Sequence, residues 1–415
     1  MLFLKVFSKS FPKSDLLIYT LSLSHSLKHI FNSSFSILIP YIKEGMFLSN
    51  IQVGILVGVQ QVFSGLSNIP AGIITDTFRK TLGLMLAASM FFVSIGFLFL
   101  SIANYYIFIL LGASLMSIGA SLWHAPAFSI LSNRYPDRKA YALGVHISGA
   151  SAGNSLGPLL GGLLLGGISL GAFNWGGLGW KSICFINFIP CFLISLFLLL
   201  KSKKLMNPEI ENVNFSNYFQ NVLGSLKKTG VLVMVLLHAL RGATHQSFLV
   251  YLAIYLKEYL SYSSFLIGIH LALLTIAGIV FTPVLGFLSD KIGRLPIIIF
   301  GFAMTSLLIA MILFLNSGIS LIVMLFILGS VLFSIVPIIS AYAMDTAGKM
   351  NEGSSIAFLF TGGSIAGAIA PVLAGLFFDR WGFDGLIFFT VSLSLLGLFI
   401  VITYTLYDSF KNKYV

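Results

Sequence analysis

Apolar runs of about 20 residues, separated by short polar or glycine-containing segments, recur along the whole 415-residue chain. A helix of that length crosses the hydrocarbon core of a bilayer. The pattern predicts spans at 15–40, 50–72, 81–102, 105–131, 140–168, 181–200, 230–256, 263–288, 295–315, 319–344, 353–377 and 384–407. The longest polar interruption divides six spans from six. We therefore expect an N-terminal six-helix bundle at 1–200, a cytoplasmic linker at 201–229 and a C-terminal six-helix bundle at 230–415.

Composition supports a membrane protein. The chain is 57% hydrophobic and only 9% charged, whereas soluble proteins carry roughly 25% charged residues. The predicted fold class is all-α integral membrane protein, with twelve transmembrane helices and a central cavity between two pseudo-symmetric bundles.

The basic residues predict the orientation of the chain. With the N-terminus inside, 18 Lys and Arg residues fall in cytoplasmic segments, against four in outer segments: Lys43, Lys181, Lys257 and Arg380. This positive-inside bias predicts that both termini are cytoplasmic. The net charge of +11 then reflects topology and anionic lipid, and no nucleic-acid partner is expected. The expected location is the bacterial inner membrane.

Segments of the first half recur in the second at a nearly constant offset. Gly54 matches Gly268, YIKE from Tyr41 matches YLKE from Tyr255, GIITDTFRK from Gly72 matches GFLSDKIGR from Gly286, and HSLK from His25 matches HALR from His238. An internal duplication predicts two parallel bundles related by an axis along the membrane normal. Such bundles place a substrate site between them, near the midplane.

One repeated segment is a charged loop motif, G-x-x-x-D-R/K-x-G-R/K. It is complete in the second half as Gly286, Asp290, Lys291, Gly293 and Arg294; the first half has Gly72, Asp76, Arg79 and Lys80, with Arg79 in place of the second glycine. With this motif and its duplication, the chain resembles the major facilitator superfamily of secondary transporters over essentially its whole length. The resemblance implies gating at the cytoplasmic rim, with Arg134 as a partner for the aspartate. The alternative is charge that only sets topology.

Predicted span five carries G-x8-G-x3-G-P-x2-G-G, formed by Gly144, Gly153, Gly157, Pro158, Gly161 and Gly162. The pattern resembles the antiporter motif of drug exporters in that superfamily. The run HAPAFSILSNRYPDRKAYALGVHISG is similar to the fosmidomycin-resistance branch. The alternative is a tight helix–helix contact, since small residues let helices approach closely in lipid. The spans hold no buried carboxylate, which argues against the usual carboxylate-based exchange of drug for proton.

Two clusters of basic side chains lie near the middle of predicted spans one and seven. The cluster of span one lies on one helix face and consists of His25, Lys28, His29 and Asn32. The cluster of span seven repeats the arrangement with His238, Arg241 and His245. A central Lys or Arg costs roughly 2.5–3.5 kcal/mol on insertion scales. We expect both cations to face the cavity and to bind an anionic ligand, an arrangement similar to the organophosphate/phosphate exchangers of the superfamily. The alternative is that backbone carbonyls at a helix break hold each cation.

The histidines are candidates for proton coupling because the ordinary pKa of imidazole is about 6.5. We assign this role to His25, His29, His238 and His245, and to His146 with close packing as the alternative; roles for His124 and His270 are left open. No metal is expected, because Lys28 and Arg241 would repel a divalent cation. The chain shows no nucleophile–base or metal-ligand motif, so neither an enzyme nor a cofactor is expected.

The favoured function is secondary transport of a small organic anion, a carboxylate or a phosphate/phosphonate compound, linked to protons. An anion beside histidine favours the protonated ring, and the proton favours the anion in return. The alternative is a proton-driven exporter of drugs or of a secreted metabolite such as a polycarboxylate siderophore. The expected partners are the anionic substrate, protons and lipid, and the chain is expected to be a monomer.

Overall fold

The protein is almost entirely helical in the computed structural model, which describes residues 16–170, 173–205, 229–347 and 352–414. The first half forms α1 (Leu16–Met46), α2 (Asn50–Thr77), α3 (Leu82–Ser101), α4 (Tyr106–Leu122), α5 (His124–Arg134), α6 (Lys139–Gly166) and α7 (Trp180–Lys201). The second half forms α8 (Thr229–Glu258), α9 (Ser264–Ile292), α10 (Arg294–Met311), α11 (Gly318–Leu332), α12 (Ile335–Ala347) and α13 (Glu352–Tyr414). Most of the linker predicted at 201–229 lies outside the described residues.

These helices overlap every predicted span, and the two-bundle all-α fold is confirmed. Predicted span four is divided into α4 and α5, and predicted span ten into α11 and α12. Predicted spans eleven and twelve both belong to α13, which turns at Gly382, where φ is 62°. Seven described helical segments are long and apolar enough to cross a membrane. The count of twelve crossings stays a prediction.

A small hairpin that the sequence did not predict connects α6 to α7. Strands β1 (Ile168–Leu170) and β2 (Phe173–Trp175) pair antiparallel, with Ile168 opposite Trp175. Strands of three residues are too short for a periodic pattern to show.

A row of glycines on α6 lets this helix lie directly against α1. A Cβ added at any of them would overlap a backbone oxygen of α1: Gly149 faces Ser22, Gly153 faces Ser26 and Gly157 faces Ile30. Backbones this close allow many van der Waals contacts, which drive helix association in lipid. The tight-contact interpretation of the span-five pattern therefore describes four of its glycines, since Gly161 also lies against Ile37 of α1 and Gly162 against Ser264 of α9.

The two halves meet at two close contacts, which the internal duplication relates to each other. Gly54 on α2 lies against the carbonyl oxygen of Pro371 on α13, and Gly268 on α9 lies against that of Pro158 on α6. The matched glycines thus hold equivalent interfaces between the halves.

Ion pairs join the halves at the end of the bundle where α1 and α8 terminate, which we call the closed end. Lys43 bonds Glu258 at 2.7 Å, and Lys257 bonds Glu44 in the reciprocal pair. Each half supplies one lysine and one glutamate, from the repeated YIKE and YLKE segments. The repeat therefore encodes a symmetric closure.

The opposite end, which carries Gly72, Gly144 and Gly286, is called the open end. A Cβ added at any of these glycines would meet no atom within 4 Å. In the loop motif of the second half, Arg294 Nε donates to Asp345 at 2.5 Å and Nη1 to Asp290 at 3.2 Å. In this half the motif residues Asp290 and Arg294 therefore contact each other, while Gly286 has no close neighbour.

The two copies of the loop motif end their helices differently. Gly293 terminates α9 with a φ of 98°, a conformation that favours glycine. At the equivalent position in the first half, α2 ends before Phe78 and a 3-10 turn covers Arg79–Thr81. A 3-10 turn needs no positive φ, so Arg79 can replace the glycine. The side chains of Asp76 and Arg79 lie outside the described residues.

Candidate functional site

A central cavity of about 240 Å³ lies between the two halves. Helices α1, α2, α6, α8 and α9 contribute to its wall, together with Phe333 between α11 and α12. The polar side chains are Asn32, Ser33, Ser36, Gln60, Gln61, Asn154, His245, Gln246 and Thr275, and the apolar ones are Phe35, Ile39, Val57, Pro158, Leu249, Val250, Leu271 and Phe333. Amide and hydroxyl groups therefore face aliphatic and aromatic ones, and no carboxylate is among these lining residues.

Lys28 lies within the first half and is fully buried. Its Nζ donates to the carbonyl oxygen of Ala120 at 3.2 Å and lies 3.4 Å from Nε2 of His124. Ala120 belongs to the last turn of α4, whose carbonyls lack partners within the helix. The division between α4 and α5 thus supplies an acceptor for the ammonium group.

Arg241 occupies the equivalent position in the second half. Its Nε donates to the carbonyl oxygen of Leu332 at 2.8 Å, and its guanidinium lies 5.4 Å from the ring centre of Phe333. Leu332 is the last residue of α11. Each central cation is therefore bonded to a carbonyl where a helix of its own half is interrupted.

This arrangement differs from the expectation that both cations face the cavity. Neither Lys28 nor Arg241 is among the lining residues. The alternative, in which carbonyls at helix breaks hold the cations, describes this conformation. The physical reason is that a carbonyl left without a partner at a helix break accepts a hydrogen bond from a cation that would otherwise be desolvated without compensation. Nevertheless, Phe333 both contacts Arg241 and lines the cavity.

Four histidines surround Lys28. The Nε2 atoms of His25 and His29 are 3.1 Å apart. The ring of His146 stacks on His25 with centroids 4.0 Å apart, and the ring of His124 lies edge-on at 5.3 Å. His146 Nε2 accepts a hydrogen bond from Trp123 Nε1 at 3.3 Å. The structure thus brings together three of the predicted proton-coupling histidines with His124, whose role the sequence left open.

The remaining predicted residues are divided between cavity and helix interface. Asn32 and His245 line the cavity, and Asn32 Oδ1 and His245 Nε2 are buried polar atoms with no hydrogen-bond partner among the described residues. His238 is buried against α13, with its ring 5.8 Å from that of Phe360. His270 bonds its own helix through the carbonyl oxygen of Leu266 at 2.7 Å. Only Asn32 and His245 of the predicted substrate-binding set therefore line the cavity directly.

One nitrogen each from His25, His29 and His124 lies within 4.8 Å of the others, which resembles a set of metal ligands. The Lys28 ammonium contacts His124 Nε2, however, and places a positive charge where a cation would bind. Zinc sites use at least three protein ligands. Here all three histidines would be needed, and one of them, His124, already contacts Lys28. The donor set therefore does not fit a resident metal while Lys28 keeps this position.

Sequence reasoning missed several lining residues, above all Asn154, Gln60, Gln61 and Phe333. Asn154 follows Gly153 of the span-five pattern and accepts a hydrogen bond from His29 Nδ1 at 2.9 Å. A polar residue inside an apolar span was the available signal, since such residues face the bundle interior. Phe333 gave no signal, because apolar residues fill every span.

The family comparison covers nearly the whole chain. The Major Facilitator Superfamily profile matches residues 21–353 and 234–414. The multidrug resistance protein MdtG of Citrobacter koseri is 24% identical over 369 residues, which cover 85% of this chain and 86% of that protein. The fosmidomycin resistance protein of Escherichia coli K12 is 28% identical over 140 residues, 34% of each chain.

Solved transporter structures share the fold. A bacterial homologue of the human lysosomal transporter Spinster, inward-facing and unoccupied, has a TM-score of 0.76 at 19% identity, covering 96% of this chain and 97% of that one. The nucleoside transporter NupG has a TM-score of 0.76 at 12% identity, covering 93% and 99%. Together with the profile match, the duplicated helices and the central cavity, these findings show that the chain is a multi-pass membrane transporter of the Major Facilitator Superfamily.

Proposed function

We propose that the protein is a secondary active transporter of a small amphipathic organic anion, a carboxylate or a phosphate/phosphonate compound, linked to protons. The observation that carries this proposal is a pair of central cations, the fully buried Lys28 and the partly buried Arg241, beside a cavity whose lining residues include no carboxylate. At an effective dielectric constant of about 20, opposite unit charges 8 Å apart attract by about 2 kcal/mol. The cations therefore favour an anion in the cavity without touching it.

The cavity wall supports an amphipathic substrate. Asn32 and His245 offer polar atoms without partners, and buried polar groups gain free energy from a hydrogen-bonding ligand. Phe35, Leu249 and Phe333 offer an apolar surface for the rest of the molecule. Lys28 and Arg241 supply the positive charge that attracts the substrate. The candidates for proton coupling remain His25, His29, His146, His238 and His245.

Alternating access follows from the two ends of the bundle. The closed end carries reciprocal ion pairs between the halves, whereas the ion pairs of Arg294 at the open end, with Asp290 and Asp345, stay within the second half. The charge bias assigns the open end to the cytoplasm of a bacterial inner membrane, with both termini on that side. We infer that the protein works as a monomer and that the loop motif, with Arg134, holds the open end when it closes.

A second candidate is an exporter of drugs or of a secreted metabolite such as a polycarboxylate siderophore. The names of the relatives, a multidrug resistance protein and a fosmidomycin resistance protein, favour it. So does the apolar share of the cavity wall. In this function Lys28 and Arg241 would matter less, and the substrate would not need a negative charge.

The test is thermal unfolding of the purified protein with benzoate, citrate, inorganic phosphate, phosphonoacetate, ethidium and tetraphenylphosphonium. A ligand that binds only the folded state at 100 times its Kd stabilises it by about 2.7 kcal/mol. We expect at least one anion to raise Tm in the wild type, and the Lys28→Met and Arg241→Met variants to need about 30-fold more of it, since each loses about 2 kcal/mol of attraction.

The matched control is His270→Gln, which removes a histidine bonded to its own helix and should respond like the wild type. If only ethidium or tetraphenylphosphonium raises Tm, and both Met variants respond equally, the second candidate replaces the first.

A further inference from the structure

The contact between His25 and His29 lacks a proton when both rings are neutral. The two Nε2 atoms are 3.1 Å apart, within hydrogen-bond distance. His25 Nδ1 lies 3.1 Å from the carbonyl oxygen of His146, so this nitrogen must carry a hydrogen. His29 Nδ1 lies 2.9 Å from Oδ1 of Asn154, which requires the same. A neutral imidazole has one N–H, and therefore the Nε2–Nε2 bond needs one additional proton.

Rotation of the Asn154 amide gives a second arrangement that needs no additional proton. Its Nδ2 then donates to His29 Nδ1, and His29 carries its hydrogen on Nε2 and donates to His25 Nε2. Every ring nitrogen is satisfied by two neutral imidazoles. The two arrangements differ by one proton and a half-turn of one amide.

The orientation of Asn154 also changes the cavity, because Asn154 is one of its lining residues. When Oδ1 faces His29, the amide turns its NH2 group away from the histidine. When Nδ2 faces His29, the carbonyl oxygen takes that place. An NH2 group donates to an anion, whereas a carbonyl oxygen repels it.

We propose that His25 and His29 form a binding site for one proton, and that Asn154 is a positioning residue that transmits its occupancy to the cavity. A proton from water bonds to an Nε2 atom, and no other covalent bond changes. The protonated pair fixes the Asn154 amide as a donor toward the cavity, so that proton and anion favour each other. This inference rests on the proposed function only for the identity of the cavity ligand.

Close packing restricts this switch to the amide. Gly153 lies so near α1 that a Cβ there would come within 2.7 Å of His29 Cβ. Ser33 Oγ adds hydrogen bonds to the carbonyl oxygen of His29 at 2.6 Å and to that of Gly153 at 3.2 Å. The helices cannot shift without breaking these contacts, whereas rotation about the last side-chain bond of Asn154 leaves them intact.

The groups facing the pair explain why the proton and the anion bind together. They are Lys28 on α1, His124 on α5 and His146 on α6, and no carboxylate in the described parts of the chain bonds any of them. A proton on the pair adds a positive charge beside that of Lys28. A cavity anion favours this added charge, and linkage makes the preference reciprocal.

The experiment is nitrogen NMR of the full-length protein in lipid, with 15N-labelled histidine, titrated through the acidic range. His25→Gln and His29→Gln assign the signals. We expect the two rings to take up one proton as a unit, with a coupling between the Nε2 atoms. In Asn154→Leu the midpoint should move about 1 pH unit or more toward acid, because the imidazolium loses a charge-assisted hydrogen bond. Thr275→Val, another lining residue, should titrate like the wild type.

Independent titration of the two rings, or an unchanged midpoint in Asn154→Leu, would overturn the inference. If Asn154→Leu does not fold, the wild type decides: above the midpoint His29 must carry its hydrogen on Nε2, and hydrogen on Nδ1 contradicts the switch. Stoichiometric zinc, copper or nickel that disappears in His25→Gln would assign the pair to a metal. The titration needs no substrate, so its result is separate from the test of anion binding.

Discussion

Replacing Gly54 and Gly268 together by alanine is expected to reduce transport by about 100-fold. A Cβ at Gly54 would lie 2.5 Å from the carbonyl oxygen of Pro371, and one at Gly268 would overlap that of Pro158. Backbone atoms cannot move aside as a flexible side chain does. Overpacking costs roughly 1–3 kcal/mol per site, and here the cost falls on the conformation in which the two halves touch.

The measurement is transport in proteoliposomes, combined with the distance between spin labels at Phe47 and Tyr259, one on each half at the closed end. The labels should move apart in the double variant. Gly242→Ala is the matched control, since a Cβ at that helical glycine meets its nearest neighbour only at 3.8 Å. Normal transport with an unchanged label distance in the double variant would show that these glycines do not limit closure.

Reversing both lysines of the closed end is expected to open it. Lys43→Glu with Lys257→Glu places four carboxylates together where two reciprocal ion pairs stand. Exposed ion pairs contribute only about 0–1 kcal/mol each, but reversal also adds repulsion. The lysine side chains are 13% and 17% exposed, but their partners Glu258 and Glu44 are 33% and 70% exposed, so water screens the second pair more than the first. We expect a shift of about 2 kcal/mol against the closed conformation, roughly a 30-fold change in its population.

Rescue distinguishes this mechanism from misfolding. Adding Glu44→Lys and Glu258→Lys restores two ion pairs with exchanged signs, and both transport and the label distance should return toward the wild-type values. High salt should also restore part of the activity of the lysine-reversed variant, since salt screens surface charges. If the four-residue variant stays as inactive as the double one, the ion pairs do not control closure.

The fold was largely predictable because lipid imposes a strong rule. A backbone in the bilayer core must satisfy its hydrogen bonds within a helix, and each helix needs about 20 apolar residues. The duplication was visible because Gly54 and Gly268, or the YIKE and YLKE segments, recur at one offset. What these repeats do was not visible, because Lys43 meets Glu258 only after the halves assemble.

The candidate site was predictable only in part. The sequence identified Lys28 and Arg241 as buried cations without an acidic partner, but placed them at the cavity wall. Pro126 and Pro337, which cannot donate a backbone hydrogen bond, lie within about one turn after the ends of α4 at Leu122 and α11 at Leu332, so the sequence carried a signal for both breaks that the predicted spans did not use. These breaks release the carbonyls that bind the two cations.

By itself the sequence determined the class, the two-bundle plan and the basic residues that set its charge, because composition, span length and internal repeats are properties of the chain. Tertiary structure alone decided which groups meet: the carbonyls beside Lys28 and Arg241, the pairing of His29 with Asn154, and the ion pairs of the closed end. The reason is that contacts between helices and between halves depend on packing between distant segments, which no local pattern records.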